Sequence, residues 1–249
     1  MRRESWMRSK VNRPEFISSS GRVLSVAVRR RKGTRHMRLS IDLHNQIVAS
    51  LPWHCSDRAC QKFIDQNRNW LEKQINAAPE VSGLREWLKQ SPRLSAGGRS
   101  LAVSMHLSST ARAHYRINVQ GSCIEFYLPD GSGEVTRYNL VLQFAKAALS
   151  DRAAELASRI GVTYRRLSVR NQSSRWGSCS SRGTISLNWR LVLIEPRLQD
   201  YVIYHEFAHL TEMNHSRRFW TLLDRYDPQR EEHEKELDAL TPKIMRVRW

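Results

Sequence analysis

Residues 205–209 read HEFAH, an H-E-x-x-H pattern inside a segment, Pro196 to Leu210, whose apolar residues recur at helical spacing. On an α-helix, His205 and His209 stand roughly 40° apart around the axis and about 6 Å along it, so both imidazoles can reach one metal ion. Glu206 projects from the same side and is placed to take a proton from water at that ion without ligating it. Two neutral imidazoles and one further ligand suit Zn2+, with the fourth position left to water whose pKa falls toward about 7. The pattern is specific, since composition alone yields about 0.02 such matches in a chain of this make-up. A helix with two exposed histidines and an unrelated glutamate is the bland alternative. It fits poorly with the apolar face of Val202, Ile203, Phe207 and Leu210.

The third ligand has two candidates. His215 lies ten residues after His205, and in a continuous helix it would be about 15 Å further along the axis, out of reach. A helix stop near Met213-Asn214, with Asn214 left-handed, would fold it back. The rival is a carboxylate on a later helical segment, where Glu234 and Asp238 form an E-x-x-x-D pattern among several acidic residues. His215 is preferred because a nearby ligand costs less chain entropy to bring in. His233 reads as a surface residue, and His36, His44, His54, His106 and His114 show no ligand spacing.

The elements that position these groups can be read coarsely. Residues 1–20 look irregular and form a basic arm. Alternation at Met37, Leu39, Ile41 and Leu43, a turn near Asn45-Gln46 and the run Val48–Leu51 predict two strands. One helix is expected over about 57–76, with Ser56 as N-cap. Short strands are predicted at 101–107, 115–119 and 124–128. Residues 135–160 read as one long helix ended by Gly161, followed by strand-like 164–170 and a second strand, Thr184 to Trp189, in which Ile185, Leu187 and Trp189 alternate with polar residues. Pro196 begins the H-E-x-x-H helix, and two more helical stretches follow. No internal repeat is visible. The expected fold is α+β, with three regions: an arm (1–20), a β-rich N-terminal region with one helix (21–133), and a metal-binding domain (134–249) beyond a hinge near residue 130.

Composition narrows the setting. The chain has 249 residues, 40% hydrophobic and 26% charged, as in an ordinary soluble protein. No apolar run is long enough to span a bilayer, and the basic start has no apolar block behind it, so neither a membrane span nor a secretory signal is expected. Four cysteines (Cys55, Cys60, Cys123, Cys179), none in a C-x-x-C pair, read as reduced thiols in a cytoplasmic protein. The net charge of +17 is uneven: residues 1–38, which include Arg29-Arg30-Arg31-Lys32, carry a net +10. Such a segment can contact nucleic acid through counterion release, or simply solubilise the chain.

The stretches RWGSCSSRGTISLNWRL, YVIYHEFAHL and NHSRRFW together resemble the YgjP-like metallopeptidase family, relatives of the SprT-like and WLM zinc peptidases. The match is dense over about 160–225 and weaker in RHMRLSIDL and FIDQNRNWLEKQ. The resemblance implies a zincin-type fold and a zinc site of His205, His209 and His215, with Glu206 as the catalytic carboxylate. It also implies hydrolytic chemistry with the natural substrate open, and the leading expectation is zinc-dependent hydrolysis of a peptide or protein substrate. For the donor that would stabilise an oxyanion, Arg175, Asn188 and Tyr204 flank the expected cleft. The strand 184–189 could pair with an extended substrate through its backbone, while Trp176 and Trp189 read as core. The rival function is a nucleic-acid-associated protein, or a protease recruited to DNA, in which the metal is structural or auxiliary.

Overall fold

Alternating apolar residues and well-placed breakers build two compact units, Met1–Val81 and Ser82–Trp249. The computed structural model describes residues 14–21, 23–42, 45–77, 83–118, 120 and 122–248. Residues 1–13 of the basic arm, with Leu43, His44 and Val119 of the expected strands, lie outside the described residues.

In the first unit, β1 (Glu15–Ile17), β2 (Val23–Arg31), β3 (Arg38–Ile41) and β4 (Ile47–Pro52) form a sheet in the order β1-β2-β4-β3. Asn45, left-handed at φ 57°, makes the turn into β4, a conformation that Asn tolerates better than most residues. Two helices follow, α1 (Asp57–Gln66) and α2 (Arg68–Ala77). Ser56 caps α1 by accepting from the Ala59 N–H at 3.2 Å. The expected single helix is broken at Asn67, whose side-chain amide turns back to the Phe63 carbonyl at 2.8 Å and competes with the helical ladder. Phe16, Ile47, Leu51, Ile64 and Leu71 form the core.

Two expectations for this unit are corrected. Residues 15–17 are a paired strand rather than irregular arm. The basic run Arg29–Arg31 is the end of β2, paired in parallel with β4, and Arg30 is bonded to Asp57 and to the Cys55 carbonyl. Its charge hid the alternation of Leu24, Val26 and Val28 just before it.

The second unit opens with α3 (Leu84–Gln90) and a sheet of β5 (Arg93–Ala96), β6 (Arg99–Ser108), β7 (His114–Asn118) and β8 (Cys123–Pro129), in the order β5-β6-β8-β7. Then come α4 (Glu134–Ile160), β9 (Arg166–Arg170), β10 (Gly177–Cys179), β11 (Thr184–Asn188) and a 3-10 turn (Trp189–Leu193). The unit ends with α5 (Pro196–Ala208), α6 (Arg217–Tyr226) and α7 (Arg230–Ile244). Gly161, at φ 70°, is the left-handed stop of α4 that the sequence led us to expect. The strand predicted to 189 ends at Asn188. Ile185, Ser186, Leu187 and Asn188 are all buried, so β11 is covered on both faces rather than alternating between core and water.

The two four-stranded sheets repeat one another. In each, the first strand is antiparallel to the second, the second parallel to the fourth and the third antiparallel to the fourth, and a helix follows. The parallel registers coincide at an offset of 77 residues: Val26↔Ile47 becomes Val103↔Ile124, and Arg31↔Pro52 becomes Ser108↔Pro129. The sequence conceals this repeat because what recurs is mainly apolar character at alternate positions, and loop lengths differ between the copies.

The compact units divide after residue 81, whereas composition suggested a boundary near 133. The β5–β8 sheet and α4 share one core, in which Leu94, Ile124 and Phe126 join Phe144, Leu149 and Leu156 with Leu187, Trp189 and Phe207. Sheet and helices thus bury their apolar faces together, and residues 130–133 are a turn within a unit. With seven helices and three mixed sheets among the described residues, the fold is α+β as expected. No described helix is long and apolar enough to cross a membrane.

Candidate metal centre

Pro196 at the first turn starts α5 with a preset φ, and Leu198, Val202, Ile203 and Phe207 anchor the helix in the core. The helix ends at Ala208, where the N–H groups of Leu210 and Thr211 turn to the Phe207 and Ala208 carbonyls at 3.0 and 3.1 Å. The stop therefore comes earlier than Met213-Asn214. Asn214 is not left-handed either, since among the described residues only Asn45 and Ser122 combine a side chain with positive φ. The chain then passes through residues 210–216 into α6, and His215 swings back over the end of α5.

This brings His205, His209 and His215 together, each with a ring nitrogen within 4.8 Å of the others. The His205 and His215 Nε2 atoms face each other at 3.1 Å. Two nitrogens bound to one tetrahedral zinc stand about 3.3 Å apart. His209 Nδ1 donates to the Glu212 carbonyl at 3.0 Å, which leaves Nε2 with its lone pair free to ligate. Phe219, fully buried, is the floor: its ring centroid lies 4.6–5.0 Å from all three imidazoles. Burial, then its two histidine neighbours, pull His205 down to about 4, and burial lowers His209. Both rings are therefore neutral near pH 7, the form that binds a metal. The donor set fits a divalent ion such as zinc.

Glu206 is 5% exposed, and its Oε2 is buried with no hydrogen-bond partner. Burial raises its carboxyl to about 8, against the opposing pull of Arg175. Its place depends on Gly177, since a Cβ there would fall 2.5 Å from Oε1 and 2.7 Å from Cγ. Gly177 begins β10, which is an edge strand in the order β10-β11-β9. The expectation that strand 184–189 pairs with substrate is thereby overturned, because β11 is bonded on both sides and β10 offers the free edge.

Two cavities flank His205 and Glu206. One, of about 470 Å³, holds all three histidines with Arg175, Gly177 and Cys179; the other, of about 260 Å³, lies toward α7. Of the three expected donors only Arg175 lines them. Asn188 is buried, and its amide donates to the Gln172 and Arg175 carbonyls, both at 2.9 Å, so it shapes the loop that carries Arg175. Tyr204 is buried against Tyr226. Glu234 and Asp238 line the smaller cavity and stand apart from the histidine cluster; Glu234 is paired with Arg230 at 3.1 Å. His233, read as a surface residue, is buried and bonded through Nδ1 to Asp227 at 2.7 Å. Trp189 is core as expected, whereas Trp176 also borders the smaller cavity, its indole N–H held by Thr241 at 2.8 Å.

The residues that motif reading missed are Gly177 and Phe219. RWGSC carried a signal, a glycine flanked by Trp and Ser before a buried strand, but only the fold shows which carboxylate it accommodates.

A helix-borne H-E-x-x-H, closed by a third histidine and set beside a sheet edge, defines a metal-dependent hydrolase centre. The chain belongs to the YgjP-like family, metallopeptidase domain, whose profile matches residues 35–240. It is a peptidase, and its family implies a divalent metal. No curated protein matches it. Among solved structures it is similar to the metallopeptidase zymogen jannalysin of Methanocaldococcus jannaschii: 21% identity, 36% of this chain and 94% of that one, TM-score 0.33. It is also similar to the metallopeptidase zymogen abylysin of Pyrococcus abyssi: 23% identity, 41% of this chain and 99% of that one, TM-score 0.34.

Proposed function

We propose that the chain is a zinc-dependent peptidase in which His205, His209 and His215 hold the metal and Glu206 is the general base. The observation that carries this reading is the unpartnered Oε2 of a buried Glu206 beside three converging imidazoles. His205, His209 and His215 would hold the zinc, which when bound would supply Lewis-acid chemistry and lower the pKa of water. Glu206, on the wall of the histidine cavity, is the residue that would take up a proton from water there and pass it to the leaving amine. Arg175, exposed at the rim of both cavities, supplies positive charge for the developing oxyanion. The free edge of β10 aligns an extended peptide or protein substrate through backbone hydrogen bonds. Four free cysteines suit a reducing compartment, and we place the enzyme in the cytoplasm.

Metal analysis of the purified protein beside two variants tests this. Zinc near one per chain is expected in the wild type and in Glu206→Gln, with casein hydrolysis abolished in that variant. His215→Ala should lose the metal, and undiminished zinc there would move the third ligand to α7.

A second reading adds nucleic acid as a partner through residues 1–38. It is supported by the exposed side chains of Arg29, Arg31 and Lys32 at the end of β2. DNA binding should weaken steeply between low and moderate salt, and a flat response in a filter-binding assay removes the phosphate-contacting role.

A further inference from the structure

The E-x-x-x-D pair, Glu234 and Asp238, is left without a task once three histidines gather at the end of α5. Both carboxylates lie on α7 and line the cavity of about 260 Å³ on the far side of His205 and Glu206. That cavity shares Arg175, Gly177, His205 and Glu206 with the larger one around the histidines, so its occupant sits next to the reacting bond. Glu206, whose Oε2 is buried without a hydrogen-bond partner, lines both cavities. Its other surfaces are the indole of Trp176, pinned by Thr241, with Tyr201 and Leu237. An apolar sleeve with carboxylates suits a side chain made of a methylene stem and a cationic head.

The local charge points the same way. In a chain of net charge +17, α7 brings two carboxylates to this cavity, Glu234 and Asp238, against the one guanidinium of Arg175. Arg230 bonds to Glu234 but divides its guanidinium among Glu234, Asp224 at 2.7 Å and Glu231 at 2.9 Å, and also lies over Trp220. Among the described residues Asp238 is in no ion pair. The Tyr201 hydroxyl is pushed up, by burial first and then by Glu234, with Arg230 opposing and Asp238 adding to the rise.

We propose that this cavity is a specificity subsite that takes the Lys or Arg side chain of a substrate residue adjoining the scissile bond, with Glu234 and Asp238 as its recognition charges. The proposal rests on the zinc-peptidase reading above. Its test is calorimetric titration of the zinc-loaded full chain with arginine hydroxamate and with norleucine hydroxamate. The two probes share a metal-chelating group and differ in the charge of the side chain. Arginine hydroxamate should bind about tenfold more tightly, a difference of about 1.4 kcal/mol. The ratio should fall close to one in Glu234→Gln/Asp238→Asn, and in Asp238→Asn alone it should drop by at least half, both variants retaining their zinc. Equal binding of the two probes to the wild type overturns the subsite, as does a preference that survives the double variant. Failure of both probes to bind the zinc-loaded wild type overturns the metal-site reading itself, and the subsite with it.

Discussion

Gly177 and Glu206 show how narrowly one atom decides this site. A methyl group on Gly177 would overlap Oε1, Cγ and Cδ of Glu206 at 2.5–2.8 Å, and that side chain is buried with little room to retreat. Gly177→Ala is therefore expected to lower kcat by about a hundredfold, the scale for a misplacement of about 1 Å, while the metal content stays near wild type. Unchanged kcat beside unchanged metal content would show that the carboxylate does not need its present place. Burial at the same residue also links pH to the stability of the metal-free protein. Glu206 is raised from 4.5 to about 8, so the folded state favours its proton; that contribution is complete below about 4.5 and is lost as pH rises to about 8. His205 is lowered from 6.5 to about 4, so its contribution is complete above 6.5 and is lost as pH falls toward 4. Of these two groups, only Glu206 changes stability between pH 6.5 and 8. The gain in metal-free melting temperature from Glu206→Gln should accordingly be larger at pH 8.5 than at pH 5.5, by the equivalent of a few kcal/mol at about 1.4 kcal/mol per pKa unit. A gain that does not depend on pH would contradict this.

Among the elements, α5 must be held firmly for its two histidines to keep their spacing. Part of that hold is Arg152 of α4, whose guanidinium is almost wholly buried and makes a two-pronged bond to Asp200 at 2.8 and 2.5 Å. Glu155, one turn further along α4, accepts a third bond from Arg152 at 2.6 Å. Removing one partner of such a pair leaves a charge poorly compensated. Arg152→Ala is expected to cost roughly 3 kcal/mol, at the lower end for breaking a buried ion pair because Asp200 retains some solvent. Urea unfolding measures it, and a loss below 1 kcal/mol would reduce the pair to a surface contact. The break at Asn67 and the early end of α5 both illustrate a limit of periodicity. Apolar spacing locates a helix but is silent about the side-chain and turn hydrogen bonds that stop it.

For the whole molecule, each unit has its own core, and only the second contains the histidine cluster. Because a metal that binds only the folded state stabilises that state by mass action, chelation should destabilise residues 82–249 selectively. Hydrogen exchange with and without EDTA checks this, and equal loss of protection in β4 and α5 would refute it.

The chemistry was legible in one dimension because an H-E-x-x-H on a helix is a local geometry: five residues and the helical pitch put two imidazoles and a carboxylate on one side, whatever surrounds them. The long helix 134–160 with its glycine stop, the cap at Ser56 and the α+β class were readable for the same reason, since each depends on residues only a few places apart. His215 could be preferred but not placed, because its position depends on how the turn after Ala208 closes. Gly177 meeting Glu206, the free edge of β10, the floor beneath the histidines and the repeated sheet all join residues tens of positions apart. Such neighbours come together only when sheet and helices bury their apolar faces against one another, and no spacing along the chain encodes that approach.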